Sequence, residues 1–378
     1  MDFELSDEQQ DIQRAAREFA QGEFDPDLAL ELDQSGRFPE SIWKKACQLG
    51  FIGIHYPTEF GGQGLGLFEN ALVIEAFCRV DSGIGSALST VDLGSEVILR
   101  FGSHEQKKKY LSPITRGERR LSIAFSESEY GGKDLSSILT VAERKVEGYL
   151  IQGRKRRVFN ALLTDVYVVL CKVLKEEWIS LIVERGNGVE VHAIEKMGLR
   201  SIPFGDLQLK RVLVPHENKI EGEAMAHAHH CLQAMRIRHS AQALGIAQGA
   251  FDRAIQYSRQ RQQFGRKLCQ FQAIRHKLAE MALSMEIARW FAYKSAQKYD
   301  QLRIDSGFLS MTQLEVERRL LSVVEEALQI FGGYGYIVDQ AIEHYFRDAR
   351  STAIELGTED ELRDSIAQVI LGPDAERK

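Results

Sequence analysis

A chain of 378 residues, 44% of them hydrophobic and 27% charged, is long enough to bury a large core and to divide it among two or three subdomains. Its net charge of -6 supplies no basic field for a nucleic-acid backbone or an anionic membrane, despite the local cluster Arg154-Lys155-Arg156-Arg157, so no nucleic-acid partner is expected. No apolar run reaches membrane-spanning length, and the acidic opening Met1-Asp2-Phe3-Glu4 leads into an amphipathic helix, which predicts neither membrane insertion nor a signal peptide.

From about residue 5 to 112 the chain shows helical periodicity, broken by turn clusters at Tyr56-Pro57 and at Gly61-Gly62-Gln63-Gly64-Leu65-Gly66. From about 120 the period changes to two. Leu121 to Phe125, Val166 to Leu170, Ile179 to Val183 and Leu207 to Val214 all read as strands. From about 225 long helices return and run almost unbroken through Glu280, Trp290 and Leu320. There Leu320, Leu321, Val324, Ala327, Leu328 and Phe331 recur at helical spacing, and Gly332-Gly333 ends the helix where backbone lacking Cβ can approach a ligand. Gln329, one turn earlier, offers an amide to that ligand. The expected fold is α+β: a helical N-terminal domain over 1–118, a central β-domain over 119–222 and a C-terminal four-helix bundle over 223–378.

Some chemistries are poorly supported. The glycine cluster at 61–66 does not match G-x-G-x-x-G and lies between helical segments rather than after a strand. His227, His229 and His230 lack the remaining ligands of a zinc site and are read as surface histidines, so no metal is expected. No G-x-S-x-G elbow marks a serine hydrolase. Cys47, Cys78, Cys171, Cys231 and Cys269 are odd in number and mostly set among apolar residues; reduced buried thiols and a cytoplasmic location are expected.

Ordered motifs add a sharper reading. They are Phe60 to Gly66, Phe101 to Leu111, Phe125-Ser126-Glu127 with Gly131-Gly132-Lys133-Asp134, Arg261-Gln262-Gln263-Phe264-Gly265 with Phe271-Gln272, Gln329 to Gly333, and Gly357-Thr358-Glu359-Asp360. In this order they resemble the acyl-CoA dehydrogenase family of flavoproteins across nearly the whole chain. The resemblance implies bound FAD. It places Phe125, Ser126, Gly132, Phe159 and Asn160 beside the flavin, with Ser126 where the family uses Thr. It assigns Arg261, Phe264 and Gln272 to the FAD of a neighbouring subunit, hence a homodimer or homotetramer, and Gln329, Gly332, Gly333, Thr358 and Asp360 to the remaining flavin contacts. Arg261 suits pyrophosphate oxygens because guanidinium is a planar, multi-donor cation. Arg236 and Tyr130 are the expected substrate contacts.

The implied reaction is α,β-oxidation of an acyl thioester, in which a base takes the α-proton. Six residues after Arg350, where the family carries its base in Y-E-G-T, stands Leu356; the alternative position, immediately before Arg236, is Met235. Arg157 replaces a Trp that shields the flavin, Phe159 replaces a Thr near its reactive nitrogen, and Gln233 replaces an Asp that helps hold coenzyme A. Glu355 is the leading candidate base, since a carboxylate in an apolar site has a raised pKa; Asp92 or Glu96 is the alternative, and His239 is read as a helix-face histidine. The expected activity is an FAD-dependent dehydrogenase of an acyl-CoA or acyl-carrier-protein thioester in a specialised biosynthetic pathway, with a flavoprotein or oxygen as electron acceptor. A flavin monooxygenase on the same fold and a catalytically silent flavin-binding subunit are the competing readings.

Overall fold

The computed structural model describes residues 4–127, 138–174, 177–354 and 356–372. The first helix, α1 (Asp7–Glu23), starts at a capping box in which Ser6 and Gln9 satisfy each other's backbone N–H groups. After α2 (Pro26–Ser35) and α3 (Glu40–Gln48) comes the glycine-rich turn, then α4 (Leu67–Val80), α5 (Ser82–Ser89), α6 (Ser95–Phe101), α7 (His104–Tyr110) and α8 (Ser112–Thr115). Helix α4 is buried on nearly all sides because α1 covers one face and the C-terminal domain the other.

The β-domain comprises β1 (Leu121–Ala124), β2 (Val141–Lys145), β3 (Gly148–Phe159), β4 (Val166–Leu174), β5 (Glu177–Glu184), β6 (Val189–Ala193), β7 (Phe204–Pro215) and β8 (Lys219–Ile220). They form one sheet in the order β6-β7-β3-β2-β4-β5-β8, with β1 added parallel to β4. Val166, Tyr167, Val168, Val169 and Leu170 are buried on both faces, which explains their continuous apolar run. Three further helices, α9 (Ala224–Gln260), α10 (Gln272–Asp300) and α11 (Ser306–Phe331), form the C-terminal bundle, closed by α12 (Ile342–Thr352) and α13 (Glu359–Leu371). A small hairpin, β9 (Gln262–Gln263) and β10 (Arg266–Lys267), interrupts the helical run expected there. Helix α9 meets α4 at Gly245, where an added Cβ would stand 2.5 Å from the Glu75 carbonyl oxygen, so the close crossing requires glycine.

The helical, β, helical architecture agrees with the sequence reading, with differences. Strands β2, β3, β6 and β8 were not legible: β3 carries Arg154 to Arg157, a charge run that hides its alternation. His227 is buried rather than on the surface, its ring bracketed by the Ser180 hydroxyl and the Glu221 carbonyl, each at 3.0 Å, and His230 is half-buried against Tyr299. The five cysteines are free thiols, four of them buried and Cys269 partly so. Among the described residues no helix is long and apolar enough to cross a membrane.

Candidate active site

All three domains meet at a small, partly open cavity of about 30 Å³. Ser89, Thr90 and Leu93 approach from the N-terminal domain, Phe159 from the end of β3, Met235, Arg238, His239 and Gln242 from α9, and Leu356 from the segment before α13. Asn160 fixes the junction by donating its amide to the Thr90 carbonyl at 3.0 Å and to the Thr90 hydroxyl at 2.9 Å. Both positions where the family resemblance places a base, Leu356 and Met235, line this cavity with apolar side chains. Leu356 holds φ at +62°, a left-handed conformation unusual for a branched residue, and Gly357 follows at +124°. Arg236 donates to the Leu356 carbonyl at 3.4 Å and to the Ser310 hydroxyl at 3.3 Å, tying this segment to α9 and α11.

The candidate bases fall out differently. Glu355, Tyr130 and Gly132 lie outside the described residues. Asp92 is buried and paired with Arg238, and it accepts from the Tyr56 hydroxyl at 2.8 Å. Burial would raise its pKa, but Arg238, His55 and the Tyr56 hydroxyl together outweigh burial and hold the carboxylate below its usual range, which weakens it as a base. Glu96 is likewise held low against its burial by His55, 2.7 Å away. His239, read from the sequence as a helix-face histidine, is instead buried in the cavity wall, with Nδ1 4.0 Å from Glu317 Oε1.

A second pocket, of about 520 Å³, lies at the far end of the bundle. Arg261, Gln263, Gly332, Gly333 and Tyr334 line it, together with Tyr257 stacked on Phe331 at 4.2 Å between ring centroids. Here the Arg261 guanidinium lies 5.1 Å from the Tyr334 ring centroid, and a Cβ added at Gly332 or Gly333 would meet nothing within 4 Å. A cation, exposed backbone and aromatic faces suit a dinucleotide with a pyrophosphate, so these residues fit FAD. Gln272 and Gln329 are solvent-exposed at the starts and ends of their helices, and Phe264 is 93% exposed on the β9–β10 hairpin rather than in this pocket. Thr358 caps α13 by accepting from Glu361 N, and Asp360 pairs with Arg363 at 2.7 Å. Ser126 lies two residues beyond β1, its carbonyl accepting from Arg156 N at 2.8 Å.

Three family models match in chain order: the acyl-CoA dehydrogenase N-terminal domain over residues 6–118, the middle domain over 122–212 and the C-terminal domain over 223–371. The chain therefore belongs to the acyl-CoA dehydrogenase family, and it is an oxidoreductase of that family, whose members act on CH–CH bonds. A 3-(aryl)acrylate reductase of Clostridium sporogenes is 36% identical over 371 residues, spanning 95% of this chain and 97% of that protein. The solved butyryl-CoA dehydrogenase of Megasphaera elsdenii matches with a TM-score of 0.93 at 31% identity, covering 98% of this chain and 100% of that one. The FAD complex of PigA matches with a TM-score of 0.91 at 27% identity, covering 98% and 99%.

Proposed function

We propose that this protein is an FAD-dependent dehydrogenase of an acyl thioester, serving a specialised pathway rather than general fatty-acid breakdown. The observation that carries the reading is the junction cavity, where Phe159, which the family resemblance puts beside the flavin, meets Met235 and Leu356, the two positions where the family carries its base, under Ser89 and Thr90 of the N-terminal domain. Bound FAD supplies the acceptor for the hydride that leaves Cβ. The chain's own part is to exclude water, to orient the thioester and to take the α-proton. Two groups are candidates for that last step: Glu355 by its place beside the usual base position, and His239 by its place in the cavity wall near Glu317. Loss of the carboxylate at Gln233, beside a retained Arg236, supports a carrier-bound thioester over free coenzyme A.

The exposed Phe264 beside Arg261, on a hairpin projecting from the bundle, supports an assembly in which each subunit completes its neighbour's FAD site. A stable monomer that retains stoichiometric FAD in sedimentation would rule that out. The decisive experiment is anaerobic flavin bleaching against a panel of acyl-CoA and acyl-carrier thioesters. Bleaching by at least one thioester is expected, and transfer of the electrons to a second flavoprotein rather than to oxygen follows from the same reading. Rapid reaction of the reduced flavin with oxygen would favour a monooxygenase, and bound FAD without bleaching would favour a silent subunit. Among variants, Glu355→Gln or His239→Gln should slow flavin reduction by roughly 10²-fold or more, whichever removes the proton acceptor, while FAD stays bound.

A further inference from the structure

Behind the junction cavity lies a second, smaller one of about 10 Å³, lined by Phe51, Ile52, Val73, Ile74, Phe77 and Leu88 of the N-terminal domain. Ser89 and Arg238 line both cavities. The Arg238 guanidinium donates to the Ser89 carbonyl at 2.7 Å and pairs with Asp92, which the Tyr56 hydroxyl braces from the other side. Arg238, Asp92 and Tyr56 are 5%, 2% and 0% exposed, so the barrier is a buried ion pair held on three sides. Glu96 and His55, themselves paired, complete the charged layer behind it.

We propose that the Arg238–Asp92 pair is the end wall of the acyl pocket and restricts this enzyme to short acyl groups. The inference rests on the thioester reading above. An apolar tail pushed past Arg238 would meet a desolvated guanidinium and would have to displace it from Ser89 and Asp92, separating two buried charges from one another. Without the wall, the space between Phe51, Val73, Ile74 and Phe77, which Asn70 also lines, would be continuous with the first; at about 10 Å³ it has room for about one further methylene, which would gain roughly fourfold in affinity. With the wall, that gain stops.

The test is calorimetric binding of straight-chain acyl thioesters, from butyryl to dodecanoyl and carried by coenzyme A or by acyl carrier protein, to FAD-loaded protein, alongside anaerobic flavin reduction by the same series. The parent should show no gain in affinity from butyryl to octanoyl. The double variant Arg238→Met/Asp92→Asn removes both charges, keeps an acceptor for Tyr56, and should gain roughly fourfold from the first methylene added beyond butyryl. A flat profile in the folded, FAD-loaded double variant would overturn the wall. The parent profile tests it without any substitution: affinity that climbs steadily through octanoyl also overturns it. Failure of every thioester to bind or to bleach the parent flavin would defeat the dehydrogenase reading and the wall together, a result distinct from a chain-length profile of the wrong shape.

Discussion

Arg261 leaves α9 at the rim of a pocket whose other wall is bare glycine backbone, and its charge is the one feature there that a neutral side chain cannot imitate. Arg261→Ala should weaken FAD binding by about ten- to hundred-fold, the worth of one charge-assisted hydrogen bond; flavin titration of apoprotein measures it, and unchanged affinity would remove Arg261 from the cofactor site. The sequence singles this residue out because it sits in a contiguous motif, R-Q-Q-F-G, that carries the family resemblance. Arg238 is not singled out. It reaches Asp92 across 146 positions of sequence, and no spacing rule links a carboxylate before α6 to a cation in the middle of α9. Asp92 alone therefore reads as a candidate base, whereas its partner makes it half of an ion pair. His239 was misread for a similar reason: on α9 alone it is one histidine on a helix, and only the arrival of Glu317 from α11 and Leu356 from the following segment places it in a cavity.

The strands show the same division at the scale of whole elements. Strands β4 and β5 were legible because both faces of each are buried and their runs are apolar but for Ser180 in β5, whereas β3 pairs with β2 and β7 while carrying four successive cations. The reason a charge run can be a central strand is Lys155, which is fully buried and meets Glu127 at 2.5 Å, while Glu127 also accepts from Leu139 N and from Thr140 N. Burial pulls the Lys155 pKa down, with Glu127 opposing it. Lys155→Met should therefore strand a buried carboxylate just beyond β1 and destabilise the protein by about 3 to 5 kcal/mol. Adding Glu127→Gln should restore much of that loss, since the pair is removed together. Denaturant unfolding of both singles and the double closes the cycle, and purely additive effects would show that the two side chains do not stabilise one another. Because Phe125 and Ser126 immediately precede Glu127, FAD affinity should fall in the single variant and recover in the double.

At the scale of the molecule, the three domains are tied together around His344. Asp33 of α2 lies 3.5 Å from its Nδ1, Asp81 at the start of α5 lies 3.7 Å and Asp348 of α12 lies 3.2 Å from its Nε2. The Asp348 carboxylate also accepts from the Ser82 hydroxyl and from Leu199 N in the β-domain, and Arg347 clamps Asp33 at 2.6 Å. Burial opposes a charge on His344, but Asp348, Asp81 and Asp33 outweigh it and raise its pKa well above 6.5. Burial would raise Asp33 and Asp81 in turn; His344 and Arg347 together outweigh it at Asp33, and His344, the Ile84 N–H and Arg253 together outweigh it at Asp81, holding both below the usual carboxylate range, whereas at Asp348 burial prevails and raises the pKa. The two linkages set opposite limits. A raised histidine contributes stability that is fully present below its ordinary pKa and is lost as pH rises through the folded one, whereas the depressed carboxylates contribute stability present above their ordinary range and lost as pH falls through their folded values. Stability should therefore be highest at near-neutral pH and decline on both sides. His344→Gln removes the cation from among three buried carboxylates and should cost about 3 to 5 kcal/mol near neutrality. The difference between parent and variant should shrink in acid, as the carboxylates protonate, and in strong alkali, as the parent histidine loses its proton. Denaturant unfolding across that pH range measures it, and a parent-to-variant difference that stays constant from acid to alkali would show that His344 holds the domains together by packing rather than by charge.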